Sequence, residues 1–368
     1  MKILCTADWQ LGKAFGRVGP AGDSFREQLF LTAEKIITTT AEEHGADIIL
    51  ILGDTFDRAD ADWALIERVS EVLRNSEKPI HIIPGNHDPW QPGGALESLS
   101  RELDDVDHVV FHDEQTACYI EELGLTLYPG VLRQRFDMRD LTSWIPDRED
   151  SDGLRVGMFH GSIMSIAGED ARQRSIDPDV SEIQDLDLTL MGDWHGGELL
   201  DQPDRRLWYA GAPEPQRIGH DWEGRVLLIE AEPGRAPSVE PVMVGSLKFV
   251  DFVFEFDLDM DDSVQELGDA LDGIEGAPEL TYIRFSLTGE MLAEDLEGVM
   301  DRLEDFSEGW PFHSRRRRGL TVVQEDPAEA DDERLHAVEA ELHGMGLEDG
   351  VLARATVLLR RMYRRLGQ

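Results

Sequence analysis

Apolar and polar positions alternate along the first two thirds of the chain in a repeating order of strand, polar loop and helix. Lys2 to Ala7 is a short apolar strand that ends at Asp8-Trp9-Gln10-Leu11-Gly12. After a loop bearing Gly and Pro, Ser24-x-x-Glu27 has the pattern of a capping box. Phe25, Leu29, Ala33, Ile36, Ile37 and Thr40 then keep helical spacing, and Gly45 is placed to end the helix. Ala46 to Leu52 is continuously apolar, as expected of a strand covered on both faces, and ends at Gly53-Asp54-Thr55-Phe56-Asp57. A helix over about Asp62 to Asn75 leads to the short strand Pro79 to Ile83, which ends at Pro84-Gly85-Asn86-His87-Asp88.

From Val106 onward the pattern turns to short strands, Val109–Phe111, Ala117–Ile120 and Leu125–Tyr128, and then repeats the earlier theme twice. Leu154 to Phe159 ends at His160-Gly161, and Leu186 to Met191 ends at Gly192-Asp193-Trp194-His195-Gly196-Gly197. Strands over Arg206–Tyr209 and Arg225–Ile229 close this part. The layering predicts an α/β domain over 1–245 in which two packed β-sheets are flanked by helices. Alternating strands and helices over 246–324 predict a small α+β cap, and 325–368 an acidic linker with two closing helices. In the last of these, Val351, Ala355, Leu358, Met362 and Leu366 form an apolar stripe.

Charge changes the picture of the surface. Asp and Glu total 76 against 35 Lys and Arg, a formal net charge of −41, and the only lysines are Lys2, Lys13, Lys35, Lys78 and Lys248. Acids spread between periodic apolar segments imply a folded protein suited to high salt, where the Debye length shrinks to about 3 Å near 1 M and self-repulsion is screened. A salt-loving archaeal cytoplasm is the expected home. Such a surface argues against generic nucleic-acid affinity, so any nucleic acid must be gripped locally. The chain runs from Met1 straight into a strand without a signal-peptide layout, and no apolar run approaches the ~20 residues that span a bilayer. Cys5 and Cys118, both in strands, are expected as thiols of a reducing compartment.

Five strand ends supply Asp8 and Gln10, Asp54, Asn86 and His87, His160, and Asp193 and His195. Alone, each motif is an ordinary turn or helix cap; together they are a ligand set of oxygen and imidazole donors without thiolate. That set suits Mn, Fe or Zn. Its donors are too many for one ion and match two ions about 3.5–4 Å apart that share a carboxylate, with Asp54 as the natural bridge.

Asp8-Trp9-Gln10, Gly53-Asp54-x-x-Asp57, Gly85-Asn86-His87-Asp88, His160-Gly161 and Gly192-Asp193-x-His195 occur in the order of the calcineurin-like metallophosphoesterases. The resemblance runs from about Met1 to Glu230. It is nearest to the SbcD-type DNA-repair exonuclease branch, whose loop beside the active site Tyr209 to Pro215 also resembles. It implies a four-layer core and one metal on Asp8, Gln10, Asp54 and His195, the other on Asp54, Asn86, His160 and Asp193. His87 is then the catalytic residue over the scissile phosphate, a donor to the developing charge or to the leaving oxygen. Asp88 and Asp57 are expected to orient His87 and the Asp54 loop. Gln10 stands where most members carry His, and Asp193 where most carry the first His of a pair. Both changes favour a harder ion such as Mn and weaken the Gln10 position.

Arg133, beside Arg135 in a loop after the Tyr128 strand, and the run Arg315-Arg316-Arg317-Arg318 are candidate phosphate contacts. The alternative for both is pairing with the acidic surface. The expected activity is two-metal hydrolysis of DNA phosphodiesters in repair. A small-molecule or cyclic-nucleotide phosphodiesterase, a phosphatase, and a weakly active adaptor for a partner ATPase are the alternatives. The resemblance also implies an SbcC-like coiled-coil ATPase as partner, and a homodimer.

Overall fold

The computed structural model describes all residues except 17, 19–21, 150, 164–175, 197–200, 220–221, 259, 261, 312, 317–318, 324–332, 348–351, 353–354, 356–358 and 360–368. Two compact units follow one another, Met1–Leu247 and Lys248–Gln368.

In the first unit, β1 (Lys2–Thr6), β2 (Ile48–Leu52), β3 (Ile80–Ile83) and β4 (Val109–Phe111) pair in parallel in chain order. A second sheet holds β5 (Cys118–Ile120), β6 (Leu125–Pro129), β7 (Leu154–His160), β8 (Leu188–Gly192) and β9 (Leu207–Tyr209). It is parallel from β6 to β9, with β5 antiparallel at its edge. β10 (Arg225–Glu230) and β11 (Ser238–Met243) return antiparallel to the first sheet beside β1.

The period-two alternation of side chains decides what meets between the sheets. Every residue of β2 is fully buried. Ile48, Leu50 and Leu52 pack with Leu127, Val156, Met158, Leu188 and Leu190 of the second sheet, while Phe159, Met191 and Tyr209 serve the core on its other face. Each of these side chains contributes roughly 1.5–3 kcal/mol by leaving water. The result is a rigid double-sheet bed whose parallel strands all discharge their loops at their carboxyl ends.

The helix Gly22–Lys35 continues through a π-helical turn, Ile36–Thr40, into Ala41–Glu43. It starts before the expected box, so Ser24 lies inside the first turn, beside Asp23 at the helix's positive end. Trp63–Arg74 is capped by Asp62, whose side chain accepts from Leu65 N at 2.9 Å. The two-turn helix Ala95–Glu102, unforeseen from the sequence, follows the Gly93-Gly94 pair.

In the second unit, β12 (Lys248–Phe256), β14 (His313–Arg316) and β15 (Leu320–Val323) all pair in parallel with β13 (Thr281–Leu292). Helices Ser263–Asp272 and Leu296–Gly309 bury Leu267, Leu271, Val299 and Leu303 against Ile283, Phe285 and Leu287. The second helix, which the sequence places over Glu290–Asp305, begins instead at Leu296, because β13 runs on to Leu292 to pair with Val323. A further helix spans Glu333–Gly344. The linker expected at 325–332 lies outside the described residues, as does most of the last helix, described only at Leu352, Ala355 and Leu359. Among the described residues no helix is long and apolar enough to cross a membrane.

Candidate metal centre

Asp8, Gln10, Asp54 and Asp193, at or just beyond the ends of β1, β2 and β8, have φ of 56°, 47°, 53° and 97°. Side-chain-bearing residues seldom occupy this left-handed region. Each such residue stores about 1 kcal/mol or more of strain, which persists only where the surroundings over-determine it. The bonds that do so are plain. Asp8 N donates to Gly53 O (3.1 Å), Gln10 N to Asp54 O (2.8 Å), Leu11 N to Thr55 O (2.9 Å) and Asp57 N to Leu11 O (2.9 Å), which laces the first two loops together. The buried Asp88 carboxylate accepts from Gly85 N (2.8 Å), Phe56 N (3.0 Å) and Asp54 N (3.1 Å), which ties in the third.

Hydrogen bonds bridge the sheets at these ends. His160 Nδ1 donates to Leu52 O at 2.7 Å, and Asp193 N donates to both carboxylate oxygens of Asp8 at 3.1–3.2 Å. The approach is close enough to exclude side chains. A Cβ on Gly192 would lie 2.2 Å from Leu52 O, and one on Gly85 would lie 2.1 Å from Asp54 Oδ1.

Asp8, Asp54 and His160 bring one ligand atom each to within 4.8 Å of one another. His160 Nε2 is buried without a hydrogen-bond partner, 3.5 Å from Asp54 Oδ1 and 3.9 Å from Asp193 Oδ1. With Nδ1 committed to a carbonyl, Nε2 is the nitrogen that faces the carboxylates, as in a metal-ligating histidine. Burial opposes charge on His160, but Asp54, Asp8 and Asp193 outweigh it and raise its pKa to about 9. Burial, reinforced by the neighbouring acids, pushes Asp8 well above the usual carboxylate range and raises Asp193. The His160 shift reflects the carboxylates around it, while the shifts of Asp8 and Asp193 come first from burial, and a divalent ion among these groups would favour their charged forms. Asn86 Nδ2 and Ser162 Oγ donate to the two oxygens of Asp193 at 2.9 and 3.0 Å, which leaves Asn86 its oxygen end. Asp8, Asp54, Asn86, His160 and Asp193 therefore fit a hard divalent cation.

Gln10 and His195 join the same network differently. Gln10 Nε2 lies 3.3 Å from Asp54 Oδ2 and 3.2 Å from His195 Nε2, while its Oε1 accepts from the Lys13 ammonium. His195 O accepts from Ala212 N at 2.8 Å, and its ring meets Trp222 edge-on.

His87 stands at the partly exposed edge of the network. Its backbone N donates to Asp54 Oδ1 (2.8 Å) and its ring Nδ1 to Asp57 O (2.7 Å), which leaves Nε2 as the other working nitrogen. The supporting roles expected of the two flanking acids are thus exchanged. Asp88 holds the Asp54 loop, because the turn at Gly85 folds it back onto that backbone, and Asp57 orients His87 through its carbonyl. Burial and the Asp54 charge push Asp88 up to about 6, against the pull of its backbone donors.

Residues 1–210 match the calcineurin-like phosphoesterases. The chain belongs to that family. Calcineurin-like phosphoesterases use divalent metals, and this member is a metal-dependent phosphoesterase. It is also 23% identical, over 288 residues, to the SbcD subunit of the SbcCD nuclease of Bacillus subtilis (strain 168), covering 67% of this chain and 71% of that one. A crystal structure of TT1561 from Thermus thermophilus overlaps with a TM-score of 0.40 at 15% identity, over 66% of this chain and 98% of that one. A second solved structure overlaps with a TM-score of 0.39 at 11% identity, over the same shares.

Two of the candidate arginines of this phosphoesterase, Arg133 and Arg315, hydrogen-bond to groups outside the cluster. Arg133 donates its guanidinium to Asp113 O and its backbone N to Asp137 Oδ2 (2.8 Å). Arg315, on β14 of the second unit, donates to Leu303 O (3.3 Å) and Ser307 Oγ (3.0 Å), and Asp251 is held below the usual carboxylate range chiefly by its hydrogen bond from Arg284, with a smaller contribution from the charge of Arg316. Arg317 and Arg318 lie outside the described residues. Three further residues support the site, of which the sequence marks only Tyr209, at the start of the loop that resembles the one beside the family's active site. Ser162 steadies Asp193 and accepts from Trp194 Nε1 (2.9 Å), and Tyr209 OH donates to Gly161 O (3.1 Å). Lys13, the third, had a signal to follow, since it is a rare lysine three residues from Gln10.

Proposed function

We propose that this phosphoesterase hydrolyses DNA phosphodiester bonds as an SbcD-type repair nuclease. The observation that carries the hydrolytic part is the buried Asp8–Asp54–His160 cluster, with His160 Nε2 unpartnered and His87 tethered at its rim. The DNA part is supported by the similarity to a nuclease subunit over 288 residues, which reaches beyond the family match at 1–210.

The residues would work as follows. Asp54, Asn86, His160 and Asp193 would hold one divalent ion, and Asp8, Gln10, Asp54 and His195 would hold another. Mn suits this set best, with Fe or Zn as alternatives. Bound ions supply charge to the phosphoryl oxygens and make hydroxide available near neutral pH. His87, its Nδ1 fixed on Asp57 O, presents Nε2 to the phosphate and donates a hydrogen bond or a proton to the leaving oxygen. Asp88 keeps the Asp54 loop in register by its three backbone bonds. The net charge of −41 supports a salt-rich cytoplasm as the setting. An SbcC-type ATPase and a second copy of the chain are the proposed partners.

Purified protein in molar salt with Mn, assayed on labelled duplex and single-stranded DNA and on bis-(p-nitrophenyl) phosphate, tests the reading. Metal-dependent cleavage of DNA is expected. Cleavage of the small ester with DNA untouched would replace the nuclease by a small-molecule phosphodiesterase, and inertness toward all three would favour an adaptor.

A further inference from the structure

The carboxamide of Gln10 is turned the wrong way for a metal ligand. A lysine ammonium only donates, so the Gln10 atom that meets Lys13 is the carbonyl oxygen. The other end, which only donates, therefore faces Asp54 Oδ2 at 3.3 Å and His195 Nε2 at 3.2 Å. Two acceptors on this side, Asp54 Oδ2 and His195 Nε2, are thus met by the N–H groups of Gln10, and the Gln10 oxygen that could join Asp54 on an ion is held by a cation. Sequence and turn geometry build this arrangement. Lys13 N donates to Gln10 O at 3.1 Å, closing a turn that brings the lysine back over the glutamine, and Asp57 Oδ1 anchors the ammonium from the other side at 3.3 Å. Asp57 is itself fixed by its backbone bond to Leu11.

We propose that Lys13 is a positioning residue that latches Gln10 over the second metal position and makes the two positions unequal. An ion on the His160 side meets a site already arranged for it. An ion on the His195 side must break the Lys13–Gln10 bond, turn the amide over and accept a fixed positive charge one amide away. Hydrogen bonds to charged groups are strong enough for this to weaken the second ion about tenfold or more relative to the first. The latch rests on the proposed metal binding of the pocket and is indifferent to the substrate.

The test is titration of the metal-free full chain with Mn(II) in molar KCl, followed by calorimetry and by electron paramagnetic resonance. Wild type is expected to bind one ion with an uncoupled spectrum, and a second, exchange-coupled ion at about tenfold or higher concentration. Lys13→Met should narrow that gap, and Lys13→Arg, which can still donate to Gln10, should retain it. Two ions of equal affinity in wild type would overturn the proposal whatever the variants do. An unchanged gap in a folded Lys13→Met protein would overturn it too. Uptake of no Mn would remove the metal reading along with the latch, whereas unequal binding in a protein that leaves DNA intact would sink only the nuclease.

Discussion

Asn86 and Gln10 bring the same functional group to one pocket and present opposite ends of it. Asn86 donates its amide N–H groups toward Asp193 and keeps its oxygen end, beside a His160 whose inner nitrogen has no partner. Gln10 gives its oxygen to Lys13 and turns its N–H groups on Asp54 and His195. The two histidines follow suit, with Nδ1 of His160 tied to Leu52 O and Nε2 of His195 met by an amide. Ligand type alone therefore does not make a ligand; the neighbours decide which atom is offered.

The contrast can be broken experimentally, most forcefully at the residue that both sides share. Asp54→Asn is expected to lower activity on the order of 10³-fold or more and to strip the pocket of metal, measured by elemental analysis. Retention of full metal content would show that Asp54 is not shared. His87→Ala should lose about 10²–10⁴-fold in turnover while the metal content stays as in wild type. Loss of metal in that variant would make His87 a ligand. The two sides separate next. His160→Ala should weaken the first Mn ion by about 100-fold, and His195→Ala should spare that ion and weaken the second. Equal effects of the two substitutions would abolish the distinction between them.

The smallest effect concerns histidines away from the pocket. His81 and His112 are buried, stacked, and joined through Nδ1 and Nε2 at 3.0 Å. Burial alone lowers His81 to about 4, and burial with the His81 charge lowers His112 to about 3, the reverse of the carboxylate-ringed His160. Because these folded-state values lie below the unfolded value near 6.5, the unfolded chain binds the protons first. Their contribution to stability is therefore undiminished above pH 6.5 and declines as pH falls toward 4. Between pH 7.5 and 5.5, wild type should lose about 3 kcal/mol relative to a His81→Phe, His112→Phe variant, measured by denaturant unfolding. Parallel pH profiles would show that the pair carries no such penalty.

Much of the fold was legible because strand period and polar strand ends are local properties. The all-buried β2, the helix between Asp62 and Asn75 and the residues that end β1, β2, β3, β7 and β8 could be seen in the chain itself. The late start of the Leu296–Gly309 helix could not, since it depends on Leu292 pairing with Val323. Nor could the exchanged roles of Asp57 and Asp88, which follow from how the Gly85 turn folds back.

By itself, the sequence determined which donors stand at which strand ends, and so the chemistry available, because identity and period are written residue by residue. Only the tertiary structure decided which end of each amide and which nitrogen of each imidazole faces the pocket. That choice depends on partners 44 and 185 residues away from Gln10 and 108 from His160. Hydrogen-bond direction belongs to a pair of groups, and those pairs exist only once the sheets have packed.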